Sequence, residues 1–462
     1  MFFIKKPDVF LPALVLFAGL ILPMHPSEIR AENILDVYNM ALETSPVIAQ
    51  AKASLRADEA FTSYNRAAFF PKIQADGGIS RNKARISGFG LPIDESYSGN
   101  SYSITLTQPV FHGQNSAALS AAEARLRAGE KALVVSEQSL ILNVSEAYFR
   151  VLGAEANERV ARSMRDLLKK ILEQTEAFLK VGTGDIISVK EARARLDSAE
   201  SGLIGAQNTV RTAIRNMERL THGPVGTLHD IGPFKPKGPV PDRVGQWVKT
   251  ALENQPILLE AREQVSTAKE QIKIARRTRW PSLDLDTGYK ASKGSLLPSM
   301  KDHESYVSLV LTLPIYQGGE IRASTRQAEA KASAEEYRLE DLKDQVRLDV
   351  ETGFLLLKDS VAQLDASSQA VDSAWVSMEA TRKAYEVGTR SFVDLFDSIQ
   401  NLTTARRNYY LALYNHVLSR VQLKAAAGLV SIKDIEDINR LLIPNAGYPE
   451  TTDYPSQETT KK

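Results

Sequence analysis

Two aspartates three residues apart, Asp394 and Asp397, close the stretch AYEVGTRSFVDLFD, residues 384–397. Carboxylates at i and i+3 share one face of a helix. Ser391-x-x-Asp394 reads as a variant capping box, and acids in a first helical turn complement the helix dipole. Spacing alone leaves open whether these acids also face something beyond their own helix. Other chemistries find no foothold. The six histidines, at positions 25, 112, 222, 229, 303 and 416, show no ligand spacing such as H-E-x-x-H. There is no G-x-x-x-x-G-K-[ST] loop and no G-x-S-x-G elbow. Cysteine is absent, which removes disulfides, thiolate metal sites and a thiol for a lipid anchor. A formal net charge of +1 gives no basic excess for nucleic acid. The chain is therefore expected to be no enzyme, with no metal site and no cofactor.

The elements that must hold these acids are long. Lys5 and Lys6 precede an apolar run from Val9 to Leu22, too short to span a bilayer, and Ala31 is a candidate cleavage point. Residues 1–31 thus read as a signal peptide, and the remainder has no membrane helix. The chain then repeats itself once. Ala41-Leu42-Glu43 with Pro46 returns as Ala251-Leu252-Glu253 with Pro256, and Phe70-Pro71 returns as Trp280-Pro281. Pro109–Gly113 returns as Pro314–Gly318, and Val181-Gly182-Thr183 as Val387-Gly388-Thr389. Anchors in one order at near-constant offset mark two copies of a large supersecondary unit. The expected organisation is a first repeat at 32–227, a proline-rich linker at 228–242, a second repeat at 243–430 and a flexible tail at 431–462.

Each unit reads helix, strand, strand, very long helix, turn, helix. The first helix is expected over about Ile34–Phe69, ended by Pro71. Period-two alternation follows: Tyr102, Ile104 and Leu106 oppose Ser103, Thr105 and Thr107, while Val307, Leu309 and Leu311 oppose Ser308 and Thr312. Gly/Ser/Pro-rich stretches near 87–100 and 292–303 read as hairpin loops. Helices of coiled-coil type are expected over about 114–180 and 320–386. Val350, Leu357, Leu364, Val371, Met378 and Tyr385 fall at a strict spacing of seven. Arg276, Arg277 and Arg279 before Trp280 form a basic cluster where helix meets strand, either solvated or facing headgroups.

Four amphipathic strands suggest membrane β-structure, but closed barrels need at least about eight strands. Exposed strand edges must then pair with other copies. Two chains would supply eight strands and a filled interior; three would supply twelve and room for a lumen.

With this duplicated layout, the Pro-apolar-aromatic-x-Gly strand exits, the two Val-Gly-Thr turns and the stretch YEVGTRSFVDLFDSIQNLTTARRNYY, the chain resembles the TolC family of outer-membrane efflux and secretion channels. The likeness covers about Asn33 to Val430. It implies an α+β membrane protein: a homotrimer whose twelve strands form one outer-membrane β-barrel, continued by an α-helical coiled-coil barrel through the periplasm. It implies a passive channel of a tripartite efflux pump or type I secretion system. Its partners would be outer-membrane lipid, a periplasmic adaptor and an inner-membrane ABC or proton-driven transporter. Asp394 and Asp397 match paired acids that narrow the periplasmic entrance. In three copies each would form a ring that favours cations, with mutual repulsion raising the pKa values. Tyr385 and Arg390 match positions whose contacts hold the entrance shut. The tips Val181, Gly182, Thr183, Val387, Gly388 and Thr389 would meet the adaptor. The first turn departs from the pattern: Ile187-Ser188 stands where Thr-Asp is frequent, leaving Asp185 as a substitute acid or a plain N-cap beside Ser188. A different class, a periplasmic coiled-coil structural or adaptor protein without a pore, would need the strands to form a soluble β-domain.

Overall fold

A computed structural model describes residues 33–86, 93–293 and 301–444. The expected signal peptide lies outside them, as do residues 445–462. The first unit runs α1 (Ile34–Thr44), α2 (Pro46–Ala67), β1 (Lys72–Ile86), β2 (Ile93–His112), α3 (Gly113–Lys180) and α4 (Ile186–Thr221). A short β3 (Asp230–Ile231) follows. The second unit runs α5 (Val244–Asn254), α6 (Pro256–Arg277), β4 (Ser282–Lys293), β5 (Lys301–Thr312), α7 (Glu320–Glu386) and α8 (Phe392–Ala426), before α9 (Ile432–Asn439) and β6 (Leu442–Ile443).

Three differences from the sequence reading have physical causes. The single helix expected over 34–69 is two, broken at Ser45, and the second unit breaks at Gln255 in the same way. Both residues are extended, with ψ 117° and 118°, because the following proline disfavours helix before it and takes the first helical position. The hairpin loops are shorter than expected. The described strands run to Ile86 and resume at Ile93, so Gly99, Ser98 and Asn100 pair within the ladder rather than in a loop. Finally, the expected flexible tail begins as packed structure. Ser431 and Asp434 form a capping box that opens α9, Ile435 and Ile438 are buried, and Asp434 pairs with Lys424. β6 then pairs with β3, so part of the expected linker and part of the expected tail form one two-stranded sheet.

The larger sheet has the order β1-β2-β4-β5, antiparallel throughout. Paired residues share a face, so Ile73, Leu106 and Ile104 stand with Leu285, Leu309 and Val307 on one side. That side is bare: Ile73 is 71% exposed, Val307 76% and Leu311 67%. The opposite side carries Thr107, Asp286, Asp284, Lys290 and Glu304, with Thr107 donating to Asp286 at 2.6 Å and His112 meeting Asp284 at 2.8 Å. Pro109 cannot donate to the ladder, and the register shifts between it and Phe111. Aromatic rows border the bare side at both ends. Phe111 stacks on Trp280 (centroids 6.4 Å), and Tyr289 lies beside Tyr102 (6.4 Å) and bonds His303. The nine steps from Trp280 to Tyr289 span about 30 Å along the strand, or roughly 20–25 Å once tilted as in a membrane barrel.

At about 1.5 Å per residue, α3 and α7 each reach about 100 Å. The α7 heptad residues Val350, Leu357, Leu364, Val371 and Met378 are all buried against neighbouring helices. On one side of α2, α3, α6 and α7 runs a groove of about 1240 Å³, lined by small and polar residues such as Ala51, Ser54, Ala128, Gly129, Ala268 and Ala275. Midway along the bundle, α1, α3, α8 and α9 close a core around Ile34, Val144, Tyr148, Leu152, Val417 and Ile435.

His416 sits beside that core, fully buried, with its Nδ1 2.8 Å from Ser360 Oγ and its ring stacked on Phe234. Burial, and then the Arg420 charge, push its pKa down to about 4. The unfolded state therefore takes up the proton first, from about pH 6.5 downward. Native stability falls as pH drops from about 6.5 and has lost its full share near pH 4. Thermal melts are expected to show a loss of about 3 kcal/mol across that window. His416→Leu should flatten this part of the pH profile; an unchanged profile would remove His416 as its source.

Candidate functional site

The long helices end in two nearly superposable turns. α3 ends at Val181 with φ −90° and ψ 4°, and α7 at Val387 with φ −94° and ψ 4°. Gly182 and Gly388 both take φ +78°, a left-handed conformation that glycine adopts without a Cβ penalty. The bonding repeats as well. Gly182 N–H donates to Leu179 O and Thr183 N–H to Phe178 O; Gly388 N–H donates to Tyr385 O and Thr389 N–H to Ala384 O. Each threonine hydroxyl turns back to the same carbonyl as its own N–H, at 3.3 Å and 2.9 Å. Val181 and Val387 stand out from the tips, 73% and 74% exposed.

Each return helix opens on an acid used as a cap, in a different way. In the first turn Asp185 accepts from the N–H groups of Ile187 (2.8 Å) and Ser188 (2.9 Å) and from Ser188 Oγ (2.6 Å). These bonds, the Ser188 hydroxyl first, hold its carboxyl below the usual range. In the second, Ser391 and Asp394 exchange bonds: Asp394 N–H donates to Ser391 Oγ at 3.1 Å, and Ser391 N–H to Asp394 Oδ2 at 3.0 Å. Arg390 lies 3.8 Å from Asp394. The Ser391 hydroxyl, its N–H and then Arg390 hold Asp394 low. Within one chain the shift is thus opposite to the rise expected from crowded copies, because each carboxylate is solvated by donors of its own turn.

Asp397 differs from both. It is exposed, and no hydrogen bond or ion pair joins it to another of the described residues. The chain's sequence pairs Asp394 with Asp397, but the structure splits them into one capping acid and one open acid. Below them Phe392, Leu395 and Ile399 pack with Ile171, Val189, Val371 and Met378, which ties both coils together at the tip. Tyr385 joins that cluster, edge-on to Phe392 at 6.4 Å. Its pKa is raised by burial and then by the nearby charge of Asp185, which places these two expected site residues in one electrostatic neighbourhood. Arg195 is a contributor the sequence reading missed. Its guanidinium lies 4.1 Å over the Phe396 ring and links α4 to the helix that carries Asp397. No sequence spacing signals this contact, since the partners lie on separate coils. The departure at Ile187-Ser188 also has a local reading: Ser188 serves the Asp185 cap, and Ile187 is left 67% exposed.

Known proteins resemble this chain in sequence and fold. The chain is 29% identical over 448 residues to outer membrane protein TolC of Escherichia coli (strain K12), covering 94% of this chain and 89% of that one. It is 25% identical over 416 residues to the alkaline protease secretion protein AprF of Pseudomonas aeruginosa, covering 88% and 86%. Among solved structures, the Campylobacter jejuni CmeC outer membrane channel superposes with a TM-score of 0.76 at 18% identity, covering 95% of this chain and 98% of that one. The outer membrane efflux protein family matches residues 37–222 and 247–429, most of the chain, and this protein belongs to that family of outer-membrane channels.

Proposed function

We propose that three copies of this chain form one channel, with twelve strands closing a barrel in the outer membrane and the long helices continuing it as a periplasmic tunnel. The observation that carries this reading is the four-stranded sheet with a bare apolar side, a polar side and two edges unpaired among the described residues, continued into α3 directly and into α7 after residues 313–319. In lipid such a sheet needs every edge paired, and four strands cannot close. The channel is a passive conduit for efflux or type I secretion. A periplasmic adaptor meets the tips at Val181–Thr183 and Val387–Thr389, and an ABC or proton-driven transporter of the inner membrane supplies the energy.

Asp394, Asp397, Tyr385, Arg390, Asp185 and Ser188 form the entrance gate in this reading. Asp397 presents the open carboxylate of the ring, while Asp394 and Asp185 hold the turns in place. Single-channel conductance in planar bilayers tests it. Asp397→Asn is expected to reduce cation selectivity severalfold without changing the melting temperature. Asp394→Asn is expected to cost about 1 kcal/mol through its cap. If the double variant keeps the parent's selectivity and low-pH behaviour, the gate assignment fails.

A further inference from the structure

The three elements that meet at the sheet-to-helix junction present a layered surface on one side of the molecule. Nearest the sheet are the bare strand residues, including Leu311. Next come rings and apolar side chains: the Phe111–Trp280 stack, with Ile315 and Tyr316 92% and 87% exposed. Beyond these, within the last turn of α6 and the first two turns of α7, stand Arg276, Arg322 and Arg326. At 100° per residue all three point away from the groove lined by Ala275, Thr278, Ile321, Ser324 and Ala328. They therefore share the outer side of the bundle. Arg276 reaches Glu329 at 2.6 Å across the two helices. Arg322 and Arg326 are exposed, one turn apart, with no ion pair among the described residues. Arg277 is engaged elsewhere, on Gly113 O, Ser116 Oγ and the Trp280 ring.

Apolar strand, aromatic row and guanidinium layer is the order in which a bilayer presents acyl chains, glycerol region and phosphate. We propose that Arg276, Arg322 and Arg326 bind the headgroup of an anionic phospholipid in the leaflet from which the helices emerge, seated beneath Trp280 and Tyr316. The inference rests on the reading that the sheet lies in the membrane. Arginine suits the task, because its planar fork pairs two donors with a phosphate. Glu329 sets the strength of the site by holding Arg276 part-occupied.

The test uses the full chain reconstituted in vesicles of phosphatidylethanolamine with one-fifth phosphatidylglycerol, then extracted and its retained lipid quantified by mass spectrometry. Phosphatidylglycerol is expected to be enriched over its bulk share. Arg322→Gln with Arg326→Gln removes no described contact, so the fold is kept. In that variant the retained phosphatidylglycerol-to-phosphatidylethanolamine ratio should fall severalfold, to near the bulk ratio of the vesicles. Glu329→Gln should shift it the other way. Glycerol phosphate in the buffer should not displace the lipid; displacement at low millimolar concentration would mean a soluble phosphate site and overturn the proposal. Equal retention of both lipids by the parent chain, or unchanged enrichment in the double variant, would also overturn it. A chain that vesicles of either composition fail to retain would instead sink the membrane placement of the sheet.

Discussion

Asp230→Ala is expected to destabilise the chain by about 2–3 kcal/mol, since it removes a buried, hydrogen-bonded carboxylate that accepts from a buried hydroxyl and a partly exposed guanidinium. The Asp230 side chain is only 4% exposed. It accepts from Tyr414 Oη at 2.9 Å, from Arg159 at 3.1 Å and from the Ile231 N–H at 2.7 Å. Three distant parts of the chain meet on this one carboxylate: the segment between the repeats, α3 and α8. Tyr148 adds a fourth tie by donating to His229 O at 2.7 Å. Alanine leaves the buried Tyr414 hydroxyl and the partly exposed Arg159 guanidinium without this acceptor. Asp230→Asn keeps an acceptor and loses the charge, so it should cost less. Asp230→Leu combined with Arg159→Met should recover only part of the loss, because the pair's own charges are gone but Glu155 then lacks the Arg159 charge beside it. Melting followed by the helical circular dichroism signal measures all three. A cost under 1 kcal/mol for alanine would show that the network is dispensable.

The second large effect is expected at Gly428, which ends α8 with φ +71°. A Cβ there would lie 2.6 Å from Gln255 Cα and 3.0 Å from Asn254 O, both backbone atoms of the α5–α6 break. Gln255 cannot retreat, since its side chain caps the carbonyls of Ala425 and Ala426 at 2.9 Å each. Gln138 holds the Gly428 carbonyl from the other side at 3.1 Å. Gly428→Ala therefore meets left-handed strain of about 1–2 kcal/mol and overpacking of about 1–3 kcal/mol. Gly388 offers the control. Its φ is +78°, but nothing lies within 4 Å of its Cβ position, so Gly388→Ala should cost the strain alone. Equal losses at the two glycines would show that the Gln255 contact yields.

Local patterns in the sequence account for much of this structure. Strict heptads mark the buried stripe of α7, and period-two alternation marks the two sides of the sheet. The repeated Val-Gly-Thr marks two turns that share one geometry. Ser45-Pro46 and Gln255-Pro256 carried a legible break, since proline favours a helix's first position, but the long apolar period hid it. Ser431-x-x-Asp434 likewise announced α9 within a segment whose composition read as tail. What local pattern cannot carry is contact across the chain. Asp230 finds Tyr414, and Gly428 finds Gln255, through tertiary packing. The same limit applied at the site. Two aspartates three apart look alike in sequence, and only the positions of Ser391 and Arg390 show that Asp394 is occupied while Asp397 is open.

β1 and β5, 15 and 12 residues long, have no strand partner on their outer edges among the described residues. In the proposed trimer their ladder groups are completed by another copy, so folding and assembly become one mass-action event and apparent stability rises with subunit concentration. The same feature has a genetic consequence. In a cell carrying parent and edge-damaged alleles in equal amounts, the proposed ring of three would draw each member at random, and about one ring in eight would be wholly intact. Lesions at these edges should therefore act dominantly, whereas a lesion that unfolds the chain before it can pair should be recessive.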